Sequence, residues 1–163
     1  KPENPYYQLA EEIAYRLVKE GYGVITGGGP GIMEAANKGS FEAGGESVGI
    51  NMRFGNRERS NNYLTKSIDF FFPFVRKLII TAPSNAFVFF PGGFGTLHQL
   101  FELLTLQETK KMDPLPIILY GREFWQPLVE FIHTLHKDFK TIDQSDETLI
   151  RFIDSPEEIL KFV

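Results

Sequence analysis

The sequence predicts an α/β protein whose mainly parallel sheet is covered by helices on both faces. Three observations carry this reading. Short apolar runs alternate along the chain with longer segments of helical period. The apolar runs hold almost no polar residue, as expected of strands buried on both faces. Two of them lead into glycine-rich turns: Gly27-Gly28-Gly29-Pro30-Gly31 follows Val24-Ile25-Thr26, and Pro91-Gly92-Gly93-Phe94-Gly95-Thr96 follows Ala86–Phe90. Together they describe a three-layer sandwich of Rossmann-like type.

The elements are read in order. Leu9, Ile13, Leu17 and Val18 recur at helical spacing, so residues 5–20 form a helix that stops at Gly21. Residues 23–26 form a short strand. A helix rich in small residues covers 32–43 and ends at Gly44-Gly45. Residues 47–50 form the next strand, and the polar run 51–66 has no period and reads as a long loop. Strand character at 68–72 precedes a helix over 74–82. The apolar strand 86–90, the helix 95–109, the strand 116–120 and the amphipathic helix 123–137 follow. A short strand, 149–153, leads to Ser155-Pro156-Glu157-Glu158, a capping box that opens the last helix.

A chain of 163 residues, 42% hydrophobic with 16 Phe, can bury a sizeable core in one domain over 1–163. The formal charge of −4 and the lack of a basic run argue against nucleic acid as partner. With no Cys, disulfides, thiolate catalysis and thiolate metal sites are excluded. No apolar run approaches the ~18 residues of a membrane helix. A cytoplasmic protein with no membrane partner is expected. The chain opens on a helix, whereas doubly wound folds open on a central strand. A native N-terminal strand is therefore expected to be missing from it.

Candidate chemistry gathers at the two turns. In the first, Gly28, Gly29 and Gly31 let backbone approach a ligand, and the helix behind them points free N–H groups at the turn. It is not a GxGxxG fingerprint, and it also reads as an ordinary tight strand–helix connection. In the second, Gly92, Gly93 and Gly95 expose amides and Thr96 adds a hydroxyl, a composition suited to phosphate. The P-loop lysine is absent. Arg76-Lys77 interrupts the apolar stretch 70–80, where cations usually have a partner, although a solvated pair on an amphipathic helix has the same pattern. His133 and His136 read as solvated, with no metal-site pattern. His98 lies beside Gln99, close to the second turn. Trp125 and the Phe residues read as core.

GGGPGIMEAAN, then RK, then PGGFGT at the head of a helix resembles the LOG (Lonely Guy) family, whose members have carried the label "possible lysine decarboxylase". The resemblance runs from about Pro5 to Trp125. It implies a Rossmann-like fold and a homodimer or a higher assembly of dimers. It also implies a phosphoribohydrolase that cleaves the N-glycosidic bond of a nucleoside 5′-monophosphate, such as AMP or a cytokinin ribotide, to free base and ribose 5-phosphate. By this resemblance Gly92, Gly93, Gly95 and Thr96 hold the 5′-phosphate. Gly28, Gly29, Gly31 and Met33 line the nucleotide, with Glu34 close to them. Arg76 matches the catalytic Arg and Lys77 its neighbour. No cofactor and no metal is implied, and no pyridoxal phosphate site is recognisable, so lysine decarboxylation is not expected.

One residue departs from the family. The motif PGGxGTxxE ends on a catalytic Glu, and this chain has Gln99 there. Gln is nearly isosteric with Glu but neutral, and it takes no proton. The chain is therefore either a hydrolase with an altered acid–base arrangement or a binding and carrier protein on the same scaffold. Glu34, His98 and Glu102 are the groups near enough in sequence to substitute.

Overall fold

The computed structural model describes residues 2–53 and 60–163. The middle of the polar run 51–66 lies outside the described residues. The chain is mixed α/β, with parallel sheets and helices on both sides of them. The described residues fall into two compact units, one ending at Ser84 and the other spanning Asn85–Val163.

The first unit opens with α1 (Pro5–Lys19), whose start is capped by Asn4 accepting from the Tyr6 N–H. Strand β1 (Val24–Thr26), helix α2 (Ile32–Glu42), strand β2 (Ser47–Met52), strand β3 (Lys66–Phe70) and helix α3 (Pro73–Thr81) follow. The strands are parallel in the order β1-β2-β3, and Val24, Ile25 and Thr26 stand opposite Ser47, Val48 and Gly49. β2 is the buried centre and β3 an exposed edge.

The buried stripe of α1 is Tyr7, Ala10, Ile13 and Ala14. Only Ile13 belongs to the apolar set read from the sequence. The two helices come into backbone contact beside this stripe: a Cβ on Gly39 of α2 would lie 2.0 Å from the Glu11 carbonyl oxygen of α1. Lys38 then reaches the Glu11 carboxylate at 2.8 Å, and this bond raises the ammonium's pKa.

The second unit holds β4 (Phe87–Phe89), α4 (Phe94–Glu108), β5 (Ile117–Leu119), α5 (Arg122–Thr134), β6 (Ile150–Phe152) and α6 (Pro156–Phe162). Its sheet is parallel in the order β4-β5-β6. Phe87, Phe89, Leu100, Leu103, Ile117, Leu119 and Trp125 form its core. The Trp125 indole N–H donates to the Tyr120 carbonyl at 3.1 Å, which satisfies the buried ring. Asp154 accepts from the Gly121 and Arg122 N–H groups at the start of α5.

Several boundaries differ from the sequence reading. β2 runs on to Met52 and β3 begins at Lys66, so the ends of the supposed loop are strand. The helix read as 123–137 ends as an α-helix at Thr134, and Leu135–Phe139 winds as a π-helical turn. A 3₁₀ segment, Gln144–Leu149, then leads into β6. No helix among the described residues is long and apolar enough to cross a membrane.

Candidate functional site

The first glycine turn follows β1 at the C-terminal edge of its sheet, where α/β folds bind ligands. Gly31 is the N-cap of α2 and makes no side-chain cap, so the first N–H groups of the helix receive no capping side chain. Gly28 and Gly31 have φ of +70° and +81°, a region that side chains disfavour. Space adds a second constraint at Gly28, since a Cβ there would lie 1.8 Å from Asn51 Oδ1.

Arg76 sits beneath this turn. Its Nη2 donates to the Gly27 carbonyl at 3.0 Å and its Nε to the Ile50 carbonyl at 2.5 Å. Burial lowers the guanidinium's pKa, and no carboxylate pairs with it among the described residues. Lys77 is 6% exposed. The pair is thus not the solvated one that an amphipathic helix would carry. Met33 lies against the turn as well: its sulfur and methyl would stand 2.6 and 2.8 Å from Cβ atoms on Gly27 and Gly29. Glu34, in the first turn of α2, accepts the Tyr7 hydroxyl at 2.9 Å. Burial, and then that carboxylate, hold the Tyr7 phenol above its ordinary pKa.

The second glycine turn follows β4. Gly93 is the N-cap of α4 with no side-chain cap. A Cβ on Gly93 or Gly95 would meet nothing within 4 Å, so there is open space beside both residues. Gly92 is different, because Thr96 Oγ1 would stand 2.2 Å from its Cβ and folds the hydroxyl back over the turn. Phe94 is 91% exposed at the tip. Gln99 and Glu102 are half-buried on successive turns of α4, and His98 is exposed.

Gly28, Gly29, Gly31, Met33, Glu34, Arg76 and Lys77 therefore belong to the first unit, and Gly92, Gly93, Gly95, Thr96 and Gln99 to the second. Within the first unit Arg76 and Met33 are drawn together on the glycine turn. His133 and His136 are not merely solvated: both ring Nδ1 atoms face the Glu147 carboxylate, at 3.0 and 2.6 Å.

A buried polar network went unread in the sequence. Asn37, Ser47 and Asn61 have little or no exposure and join Thr26 behind the first turn. Asn61 lies in the polar run 51–66, and a lone Asn in such a run carries no signal of its own.

Residues 33–163 match the protein family described as "Possible lysine decarboxylase". The chain belongs to that family, the LOG family. Among curated LOG-type relatives, a cytokinin riboside 5′-monophosphate phosphoribohydrolase of Rhodococcoides fascians is 26% identical over 130 residues, covering 78% of this chain and 66% of the relative. One of Arabidopsis thaliana is 31% identical over 129 residues, covering 78% of this chain and 57% of the relative. The chain thus spans about three fifths of the length of these two enzymes. The molybdenum cofactor binding protein of Rippkaea orientalis shares the fold, with a TM-score of 0.74 at 22% identity over 97% of this chain and 86% of that one.

Proposed function

We propose that this LOG-family chain binds a nucleoside 5′-monophosphate and hydrolyses its N-glycosidic bond. The observation that carries the reading is the second glycine turn. Its helix starts on a glycine with no side-chain cap, with open space beside Gly93 and Gly95, an arrangement that suits a phosphate dianion. Gly92, Gly93, Gly95 and Thr96 hold the 5′-phosphate. Gly28, Gly29, Gly31, Met33 and Glu34 line the nucleotide, with Lys77 beside them. Arg76 acts on the reacting nucleotide, its desolvated guanidinium lacking a carboxylate partner among the described residues. Water adds at C1′ as the base departs with the bonding pair and takes up a proton. The transition state carries oxocarbenium character.

The substrate is a nucleoside 5′-monophosphate: a cytokinin ribotide, as in the names of the relatives, or AMP. No cofactor or metal enters this chemistry. By the same family reading the protein is a homodimer or an assembly of dimers, and we further infer a cytoplasmic protein whose residues 1–163 are a single LOG-type domain.

Gln99 favours a second reading. A neutral amide stands where the family carries a carboxylate, so neither charge nor a proton acceptor is supplied there. Binding survives this change, because the cradle does not include position 99. The chain is then a nucleotide or phospho-ligand carrier, in keeping with its structural likeness to a cofactor-binding protein.

One experiment separates the two. The protein is incubated with AMP and related monophosphates, free base is followed by chromatography, and binding by calorimetry in the same samples. Base release above that of a folded Arg76→Ala variant supports hydrolysis. Binding without release supports the carrier. Neither binding nor release overturns both.

A further inference from the structure

We propose that Asn61 is a positioning residue of the nucleotide site, setting the first glycine turn so that the Gly29 N–H faces the ligand. The inference rests on the nucleotide reading above, and its test separates the two.

The amide orientation of Asn61 follows from backbone groups whose roles are fixed. The Tyr63 N–H is a donor and lies 3.0 Å from Oδ1, so that atom is the oxygen. Nδ2 then faces three acceptors: the Gly28 carbonyl at 3.1 Å, the Gly29 carbonyl at 3.2 Å and Asn37 Oδ1 at 2.9 Å. The Asn61 N–H adds a bond to the Gly28 carbonyl at 2.8 Å. Asn37 is oriented in the same way, since its Nδ2 reaches the Val48 carbonyl at 3.4 Å and Ser47 Oγ at 2.9 Å. Thr26 Oγ1 donates to Asn37 Oδ1 at 2.5 Å, which leaves its lone pairs for the Gly28 N–H at 2.9 Å.

Every carbonyl of the triple glycine is therefore held. Arg76 holds that of Gly27, and Asn61 holds those of Gly28 and Gly29. All peptides here are trans, so each N–H points opposite to the carbonyl before it. With the Gly28 carbonyl turned to Asn61, the Gly29 N–H points to the other side of the turn. It has no partner among the described residues. Glycines alone would let these planes rotate at little cost. The side chains of Asn61 and Arg76 remove that freedom, and the pre-set donor takes an acceptor oxygen of the nucleotide.

The test uses the full chain and three variants. In Asn61→Asp a carboxylate oxygen replaces Nδ2 and faces three acceptors. Asn61→Ala removes the bonds without adding charge and carries the comparison if the Asp variant does not fold. Ser40→Ala is the control: Ser40 is fully buried, and its hydroxyl donates to the Glu46 carbonyl at 2.9 Å, away from the turn. Hydrogen exchange over residues 27–33 is read without ligand, and AMP affinity by calorimetry. We expect the Asn61 variants to exchange faster there and to bind AMP about tenfold or more weakly, while Ser40→Ala stays within about twofold of wild type in both. Wild-type exchange and affinity in both Asn61 variants overturn the proposal. So does a Ser40→Ala protein that loses affinity in step with them. If the wild type binds no AMP, the nucleotide reading falls. Faster exchange confined to 27–33 then still upholds the fixing of the turn by Asn61, and its absence overturns that as well.

Discussion

Under the proposed function, position 99 governs how much chemistry the second turn supports. A general base contributes about 10²–10⁴-fold to a rate, and Gln99 contributes none as a proton acceptor. Gln99→Glu is expected to raise base release from AMP by about that factor while calorimetry shows little change in affinity. A Gln99→Glu protein that binds AMP and releases no base contradicts the account of Gln99 as the missing base. Position 28 is constrained in another way. Its φ of +70° and its contact with Asn51 act together, so Gly28→Ala is strained by backbone and by clash. We expect it to lose about 1–3 kcal/mol in denaturant unfolding. A loss near zero shows that Asn51 yields and that the turn tolerates a side chain.

At the scale of elements, the π-helical turn after α5 and the 3₁₀ segment meet through one carboxylate. Glu147 accepts from His133 and His136 when their Nδ1 atoms carry protons, and these hydrogen bonds hold its pKa below the ordinary 4.5. A depressed carboxylate pKa adds stability that is present above pH 4.5 and is lost as pH falls through the folded value. Thermal melts from pH 6 to about 3 are expected to fall less steeply for Glu147→Gln than for wild type. Parallel slopes refute the clamp. These elements also show what the sequence could and could not tell. β4 and β5 were legible because Phe87–Phe89 and Ile117–Leu119 are continuous apolar runs. The N-cap at Ser155 was legible because its residues are neighbours: Ser155 Oγ accepts from the Glu158 N–H at 3.4 Å, while the carboxylate that bonds Ser155 is that of Glu157 and not the Glu158 of the expected capping box. The glycine turns could be found for the same reason. Asn61 could not, since its partners at Gly28 and Gly29 lie more than thirty residues away. Nor could the π turn, for Leu135–Phe139 continues a helical period that any helix would satisfy.

For the whole molecule, the proposed ligand must act as a stabiliser. A ligand that binds only the folded chain, at a hundred times its Kd, adds about 2.7 kcal/mol. AMP is therefore expected to raise the thermal midpoint in proportion to the logarithm of its concentration, and adenosine, which lacks the phosphate, to do so far less. Equal shifts from both remove the phosphate cradle from the account. The contact between Gly39 and the Glu11 carbonyl has a consequence of another kind. Two helix backbones touch there with no side chain between them. Helix propensity alone would favour Ala at that position by about 0.5–1 kcal/mol, yet a methyl group has nowhere to go. In a library of all single substitutions, position 39 should accept no replacement. It would look as invariant as a reacting residue while taking no part in any reaction, a reminder that intolerance to change measures crowding as readily as chemistry.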